Sequence, residues 1–228
     1  MKLAPPASGR PSTPAPLALV DAIVLGASAG GVEALLAILS ALPSSFALPM
    51  VAVVHLPPNQ PSLLVEVLGA RAHIAVREAE DKDVLLPGLV IGPPDYHVLL
   101  DVDSGRRHVA GARDVRLALS KDALVNYCRP SIDVLFQSAA EVLGPRVAGV
   151  VLTGANADGA LGLRAIKAYG GLCAAQLPDE APARAMPEAA IASAKPQLVA
   201  PLNGIIQWII ALGAHRAGGT GDALSHDR

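Results

Sequence analysis

An apolar run that stops at a glycine-rich turn and passes directly into a helical pattern constrains this chain more than any other feature. Ala22-Ile23-Val24-Leu25 is a β-type run, Gly26-Ala27-Ser28-Ala29-Gly30-Gly31 a turn, and Val32-Glu33-Ala34-Leu35 the start of a helical pattern. A strand apolar at successive rather than alternate positions is buried on both faces, as in a parallel sheet covered by helices. The unit recurs. Strands are predicted at Leu19–Leu25, Met50–Val54, His73–Val76, Val147–Leu152, Leu172–Ala175 and Leu198–Ala200. Helices are predicted at Gly31–Leu42 (stopped by Pro43), Ser62–Arg71, Pro130–Leu143 (capped by Ser131), Gly159–Tyr169, Pro187–Ser193 and Leu202–Leu212. The expected fold is therefore α/β: a doubly wound, mainly parallel sheet flanked by helices on both faces.

Between Leu89 and Arg113 the pattern changes. Leu89–Gly92, His97–Leu100 and Arg107–Val109 follow one another too closely for intervening helices, with Pro93-Pro94-Asp95 and Asp103-Ser104-Gly105 as turns. They read as an antiparallel β-hairpin excursion at one edge of the sheet. No internal repeat is visible.

Composition sets the size. With 228 residues, 52% hydrophobic and 3% aromatic, the chain suffices for one domain whose core is Ala, Val, Leu and Ile. That domain is expected over 17–213. Residues 1–16 read as a flexible Pro/Ala-rich leader without a secretory signal, and 214–228 as a disordered tail. A net charge of -2 with no basic stripe argues against a nucleic-acid partner. No stretch reaches the ~18 consecutive apolar residues of a membrane helix, so no membrane insertion is expected. Cys128 and Cys173 lack C-x-x-C spacing and read as reduced packing residues of a cytosolic protein, in neither a disulfide nor a metal site.

In an open parallel sheet, functional groups gather beyond the carboxyl ends of the strands. Three side chains fall there: Ser28 after the first strand, His55 at the end of the second, and Asp158 in Leu152-Thr153-Gly154-Ala155-Asn156-Ala157-Asp158-Gly159. A hydroxyl, an imidazole and a carboxylate are the parts of nucleophilic acyl transfer. Gly26-Ala27-Ser28-Ala29-Gly30 also matches G-x-S-x-G, whose small residues let a strand reverse sharply into a helix beside free N–H groups. The order Ser…His…Asp differs from the Ser…Asp/Glu…His of the α/β-hydrolases, so that fold is not implied. Simpler roles exist for each: Ser28 as a helix N-cap, His55 as a strand-end residue held by Leu56-Pro57-Pro58, Asp158 as cap of the helix at Gly159. A dinucleotide site fits less well. Gly26-x-Ser28-x-x-Gly31 lacks the central glycine of G-x-G-x-x-G, and His55 stands where the ribose-binding acid belongs.

Taken in order, Gly26-Ala27-Ser28-Ala29-Gly30-Gly31, His55-Leu56-Pro57, Glu78-Ala79-Glu80-Asp81, Pro94-Asp95-Tyr96-His97, Arg129-Pro130-Ser131-Ile132-Asp133-Val134-Leu135-Phe136, Leu152-Thr153-Gly154, Asp158-Gly159-Ala160, Ala175-Gln176 and Met186-Pro187 carry a resemblance. The chain resembles the catalytic domain of the CheB-type protein-glutamate methylesterases of bacterial chemosensory systems, from about Ala22 to about Pro201. The resemblance implies Ser28 as nucleophile, His55 as general base then acid, and Asp158 as the partner that orients the imidazole. It implies backbone N–H groups of Ala29 and Ala155 as oxyanion donors, and no metal or cofactor. The implied substrate is a methylated glutamate on the cytoplasmic helical bundle of a methyl-accepting chemoreceptor, with methanol released; glutamine deamidation is the same transfer with ammonia leaving. The implied location is the cytoplasm. Arg129 and His97 are placed as substrate-binding residues, Arg129 alternatively pairing with Glu78, Glu80 or Asp81.

Three positions depart from the family's pattern. Ala29 replaces a threonine hydroxyl next to the nucleophile, worth about 0.5–1.5 kcal/mol if it made one neutral hydrogen bond. Asn156 replaces a glycine in the loop before Asp158. About 20 residues precede the first strand, too few for the receiver domain of most members, so regulation through an attached receiver is not expected. A catalytically weak or inactive chemosensory binding module of the same fold is the alternative function.

Overall fold

The computed structural model describes residues 19–55, 63–102 and 114–219. Seven strands form one wholly parallel sheet: β1 (Ala22–Ala27), β2 (Pro49–Val54), β3 (Val76–Glu78), β4 (Gly88–Ile91), β7 (Val147–Val151), β8 (Leu172–Gln176) and β9 (Leu198–Ala200). Their order is β3-β4-β2-β1-β7-β8-β9. Strand order reverses at β1, which lies between β2 and β7. A crevice beyond the carboxyl ends at that point is where such a sheet binds its ligands.

Every residue of β1 and β2 is buried, as their unbroken apolar runs predict. The pleat divides them between two cores. Ile23, Leu25 and Ala27 meet α1 (Gly31–Ala41), α2 (Leu64–Gly69) and α6 (Leu202–Gly219) on one face. Ala22 and Val24 meet α3 (Ile132–Leu143), α4 (Ala160–Ala168) and α5 (Ala185–Ala194) on the other.

The second face also carries β5 (His97–Val102) and β6 (Val115–Ser120), an antiparallel pair in register from His97 opposite Ser120 to Val102 opposite Val115. This is the excursion, built differently from its sequence reading. Leu89–Ile91 is not part of a hairpin: it is buried in β4, parallel to both β2 and β3. The partner of β5 is β6, where Val115 and Leu117 are buried and Arg116 and Ala118 half-buried. Arg107–Val109 lies outside the described residues.

Three further boundaries move. The strand expected at His73–Val76 begins at Val76 and continues to Glu78. The strand expected from Leu19 begins at Ala22. The last helix passes Gly213, where the folded part was expected to end, and runs to Gly219, because Ala214, Arg216 and Ala217 are good helix formers. The expected leader at 1–16 and the tail beyond 219 lie outside the described residues. Among the described residues, no helix is long and apolar enough to cross a membrane.

Candidate active site

Main-chain bonds bring three loops together beyond β1, β2 and β7. Ser28 N–H donates to Thr153 O at 2.9 Å, His55 N–H to Ala27 O at 3.1 Å, and Leu152 N–H to Gly26 O at 2.9 Å. Ser28, His55 and the Thr153–Asp158 loop thus sit at adjacent strand ends. Gly30, at φ 77, turns the chain into α1. Gly30 is also the N-cap residue, without a side-chain cap bond, so Ser28 is not the cap. Thr153 fastens the loop from the other side: its hydroxyl donates to Ala29 O at 2.8 Å and accepts from Ala183 N–H at 2.9 Å. Gln176, buried, accepts from Thr153 N–H at 2.9 Å.

Asp158 is fully buried and ringed by donors. Its Oδ2 accepts from His55 Nε2 at 3.0 Å and from Ile132 N–H at 2.7 Å. Its Oδ1 accepts from Ser131 Oγ at 2.9 Å, Asp133 N–H at 3.1 Å and Asn126 Nδ2 at 3.1 Å. The carboxylate therefore does not cap α4, whose N-cap Gly159 stands at φ 92 with no side-chain bond. It lies instead at the start of α3, where Ser131 is the N-cap and the Ile132 and Asp133 N–H groups and positive dipole end favour an anion. Burial pushes the Asp158 carboxyl up, but the bonds from His55, Ile132, Ser131 and Asn126 outweigh it and hold it below the ordinary carboxylate range.

An ionised Asp158 accepts the Nε2–H of His55, which leaves the imidazole lone pair on Nδ1. His55 side-chain exposure is 13%. Nδ1 faces Asn156 Nδ2 at 3.4 Å and Cys128 Sγ at 3.8 Å. Among the described residues Ser28 Oγ makes no hydrogen bond, to His55 or any other group, and Ser28 is half-buried. The N–H groups of Ala29 and Ala155, both on exposed residues, also have no acceptor among the described residues.

The segment before α3 completes the wall. Val125 and Cys128 exchange two main-chain bonds (3.2 and 2.8 Å) around Asn126 and Tyr127, whose φ values of 50 and 61 are those of a type I′ turn. The turn presents Asn126 inward, where its Nδ2 bridges the carboxylates of Asp158 and Asp133, the latter at 2.9 Å. Tyr127 points outward, 97% exposed. Asp133, itself buried, accepts from Gly162 N–H at 2.7 Å; burial raises its carboxyl above the ordinary range.

His97 and Arg129, expected to bind substrate, bond in this structure to neighbouring loops. His97 is 1% exposed; Ser131 N–H donates to its Nδ1 at 3.2 Å and its Nε2 donates to Ala123 O at 3.1 Å. It positions Ser131 and the loop. Arg129 pairs with Asp95, not with Glu78, Glu80 or Asp81, through Nε at 3.0 Å and Nη2 at 2.6 Å. Its Nη1 donates to the carbonyls of Lys121 (3.0 Å) and Asp122 (2.9 Å). Sequence reasoning missed Asn126, Cys128 and Thr153. Asparagine tolerates the positive φ found at Asn126, Thr153 stands in the Leu152-Thr153-Gly154 segment that carries the resemblance, and nothing in the sequence marks Cys128 for the site.

Comparison with known proteins agrees with this architecture. The family model described as CheB methylesterase matches residues 23–209. A relative from Leptospira interrogans is 39% identical over 193 residues, which is 84% of this chain and 94% of that protein. The protein-glutamate methylesterase/protein-glutamine glutaminase of Trichodesmium erythraeum is 34% identical over 192 residues, 84% of this chain but only 52% of that longer protein. The crystal structure of the Thermotoga maritima CheB methylesterase catalytic domain superposes with a TM-score of 0.77 at 32% identity, covering 86% of this chain and 100% of that one.

Proposed function

Because the chain belongs to the CheB methylesterase family, we propose that it hydrolyses γ-methyl esters of glutamate on the cytoplasmic helices of a methyl-accepting chemoreceptor. The observation that carries this reading is the 3.0 Å bond between His55 Nε2 and an ionised, buried Asp158, beside the strand end that bears Ser28. Ser28 is the nucleophile, His55 the base and Asp158 the group that fixes the tautomer.

The reaction follows from the atoms. Ser28 Oγ attacks the γ-carbonyl carbon as His55 Nδ1, the nitrogen with the free lone pair, takes its proton. The carbonyl oxygen becomes an oxyanion held by N–H groups of Ala29 and Ala155, each such donor worth on the order of 10²–10³ in rate. Nδ1–H then protonates the departing methoxide, giving methanol and an acyl-Ser28 ester. Water attacks that ester, Nδ1 takes one of its protons and returns it to Ser28 Oγ, and a free glutamate side chain leaves. A glutamine substrate differs only in the leaving ammonia.

A second reading has its own support. Asn156 places an amide against Nδ1 at 3.4 Å, where the serine proton has to go. A chain held in that state would bind the receptor and turn over slowly or not at all. Methanol release from a methylated receptor fragment separates the two. The esterase reading expects steady release that Ser28→Ala abolishes; equal release from both proteins overturns it. Binding without release by the unsubstituted chain establishes the binding module instead.

A further inference from the structure

Cys128 has no part in the proposed reaction, yet its sulfur stands at the base. Sγ lies 3.8 Å from His55 Nδ1, and one ligand atom each from His55, Cys128 and Asp158 all fall within 4.8 Å of one another. We propose that Cys128 Sγ and His55 Nδ1 form a binding site for a thiophilic divalent cation of the zinc class, with Asp158 as the outer carboxylate on the same imidazole.

Three observations support the site. The first is spacing. Tetrahedral zinc holds sulfur at about 2.3 Å and nitrogen at about 2.0–2.1 Å, which sets the two ligand atoms roughly 3.6 Å apart. The 3.8 Å seen here needs only a small adjustment. The second is the opposite ring nitrogen. A metal-bound imidazole commonly donates its other N–H to a carboxylate, which fixes the ring and raises its basicity. His55 Nε2 already does so to Asp158, whose remaining lone pairs are held by four other donors. The third is Asn156. Its Nδ2 lies 3.4 Å from Nδ1 and 3.4 Å from Sγ, so both lone pairs converge on one point that now holds an electropositive N–H group. A cation displaces that amide from a slot already aligned for positive charge.

Binding is a simple exchange. The ion sheds water, a sulfur–metal bond forms, the Cys128 proton passes to solvent, and the Nδ1 lone pair closes the second bond. Two protein ligands leave the other tetrahedral positions to water. Given the esterase reading, on which this consequence rests, a bound ion consumes the lone pair that Ser28 needs, and the site becomes an inhibitory one.

Cobalt(II) is the probe, because a thiolate ligand gives it a sulfur-to-metal charge-transfer absorption that oxygen and nitrogen ligands do not. The full chain is expected to develop this band with one equivalent of cobalt(II), and zinc(II) is expected to displace it. Cys128→Ser and His55→Gln should each lose the band, Asp158→Asn should weaken binding by about 10–100-fold, and Cys173→Ala should keep it. Absence of the band in the unsubstituted chain, or its persistence in Cys128→Ser, overturns the proposal. Thermal melting without metal identifies any variant that has failed to fold, and Cys128→Ser, a near-isosteric change, then carries the test. The spectrum requires no turnover, so a cobalt-binding chain that releases no methanol refutes the esterase reading alone. A chain that releases methanol but binds no cobalt refutes the metal site alone. Zinc(II) should suppress methanol release over the same concentrations that displace cobalt; undiminished release at saturation refutes the inhibitory consequence.

Discussion

Replacing Asp158 by asparagine tests the proposed relay, because the substitution keeps the shape and changes which atoms donate. All five groups around the carboxylate donate: His55 Nε2 and Ile132 N–H to Oδ2; Ser131 Oγ, Asp133 N–H and Asn126 Nδ2 to Oδ1. An asparagine must set its NH₂ against one of these groups. At the Oδ1 position it strands Asp133 N–H and opposes Asn126, whose amide cannot turn because the same nitrogen serves Asp133 Oδ2 at 2.9 Å. At the Oδ2 position it strands only Ile132 N–H, because imidazole can move its proton and accept on Nε2. A stranded buried donor costs about 1–3 kcal/mol, so the second orientation is preferred by about that much. In it the proton sits on Nδ1 and the base has no lone pair for Ser28.

A wrong tautomer in such a relay lowers turnover by about 10⁴, equivalent to about 5.4 kcal/mol of transition-state stabilisation. The stranded Ile132 N–H should lower Tm by roughly 2–12 °C in a chain of this size. Thermal melting and kcat for methanol release, the latter measured well below Tm, separate the two effects. An Asp158→Asn protein that melts earlier yet keeps more than about a tenth of its kcat would refute the reasoning, and Asp158 would then be no more than an acceptor for the first N–H groups of α3.

Asn156→Gly removes the amide that competes for His55 Nδ1; one neutral hydrogen bond of about 0.5–1.5 kcal/mol corresponds to a rise in kcat of roughly 2- to 10-fold, read from initial rates, and a fall would mean that the bond from Asp158 N–H to Asn156 Oδ1 matters more. Arg129→Ala releases two loop carbonyls and an ion pair whose Asp95 side is 64% exposed; the exposed pair counts for little and each carbonyl bond for about 0.5–1.5 kcal/mol. A lower Tm with unchanged KM is expected, and a raised KM at unchanged Tm would restore Arg129 to the substrate. Burial pushes the Cys173 thiol from 9.0 up to about 12. Its folded pKa being the higher one, its contribution is intact below pH 9 and is lost as pH climbs towards 12. Denaturant titrations across that window should show a shallower decline for Cys173→Ala, and native protein at pH 8 should resist iodoacetamide at Cys173.

The central strands are legible because each is short and almost wholly apolar, and placing Ser28, His55 and Asp158 at strand ends needs nothing more. The pairing of the Leu89–Ile91 strand differs from its expected hairpin for a physical reason. Its partners β2 and β3 precede it across intervening chain, whereas local spacing speaks only of neighbours in sequence and points to the nearest run. In β6 burial alternates along Val115-Arg116-Leu117-Ala118, but Ala118 blurs that period-2 signal in the sequence. Inside the site, the donors on Asp158 were beyond reach, since Asn126, Ser131 and Ile132 meet it only after α3 has docked against α4. His97 and Arg129 look like ligands in a linear motif; the backbone of neighbouring loops and, for Arg129, the Asp95 carboxylate take their polar groups, and no local pattern places these beside them.

Ser28, His55 and the Thr153 loop are fastened to one another by amide and carbonyl groups, which every residue except proline supplies in full. The meeting point of the strand ends is consequently indifferent to much of what decorates it. Neither the Ala29 nor the Asn156 side chain takes part in these main-chain bonds, so both positions can vary without breaking them. In this architecture side chains around the strand ends can drift independently of the main-chain framework that sets Ser28, His55 and the Thr153 loop side by side.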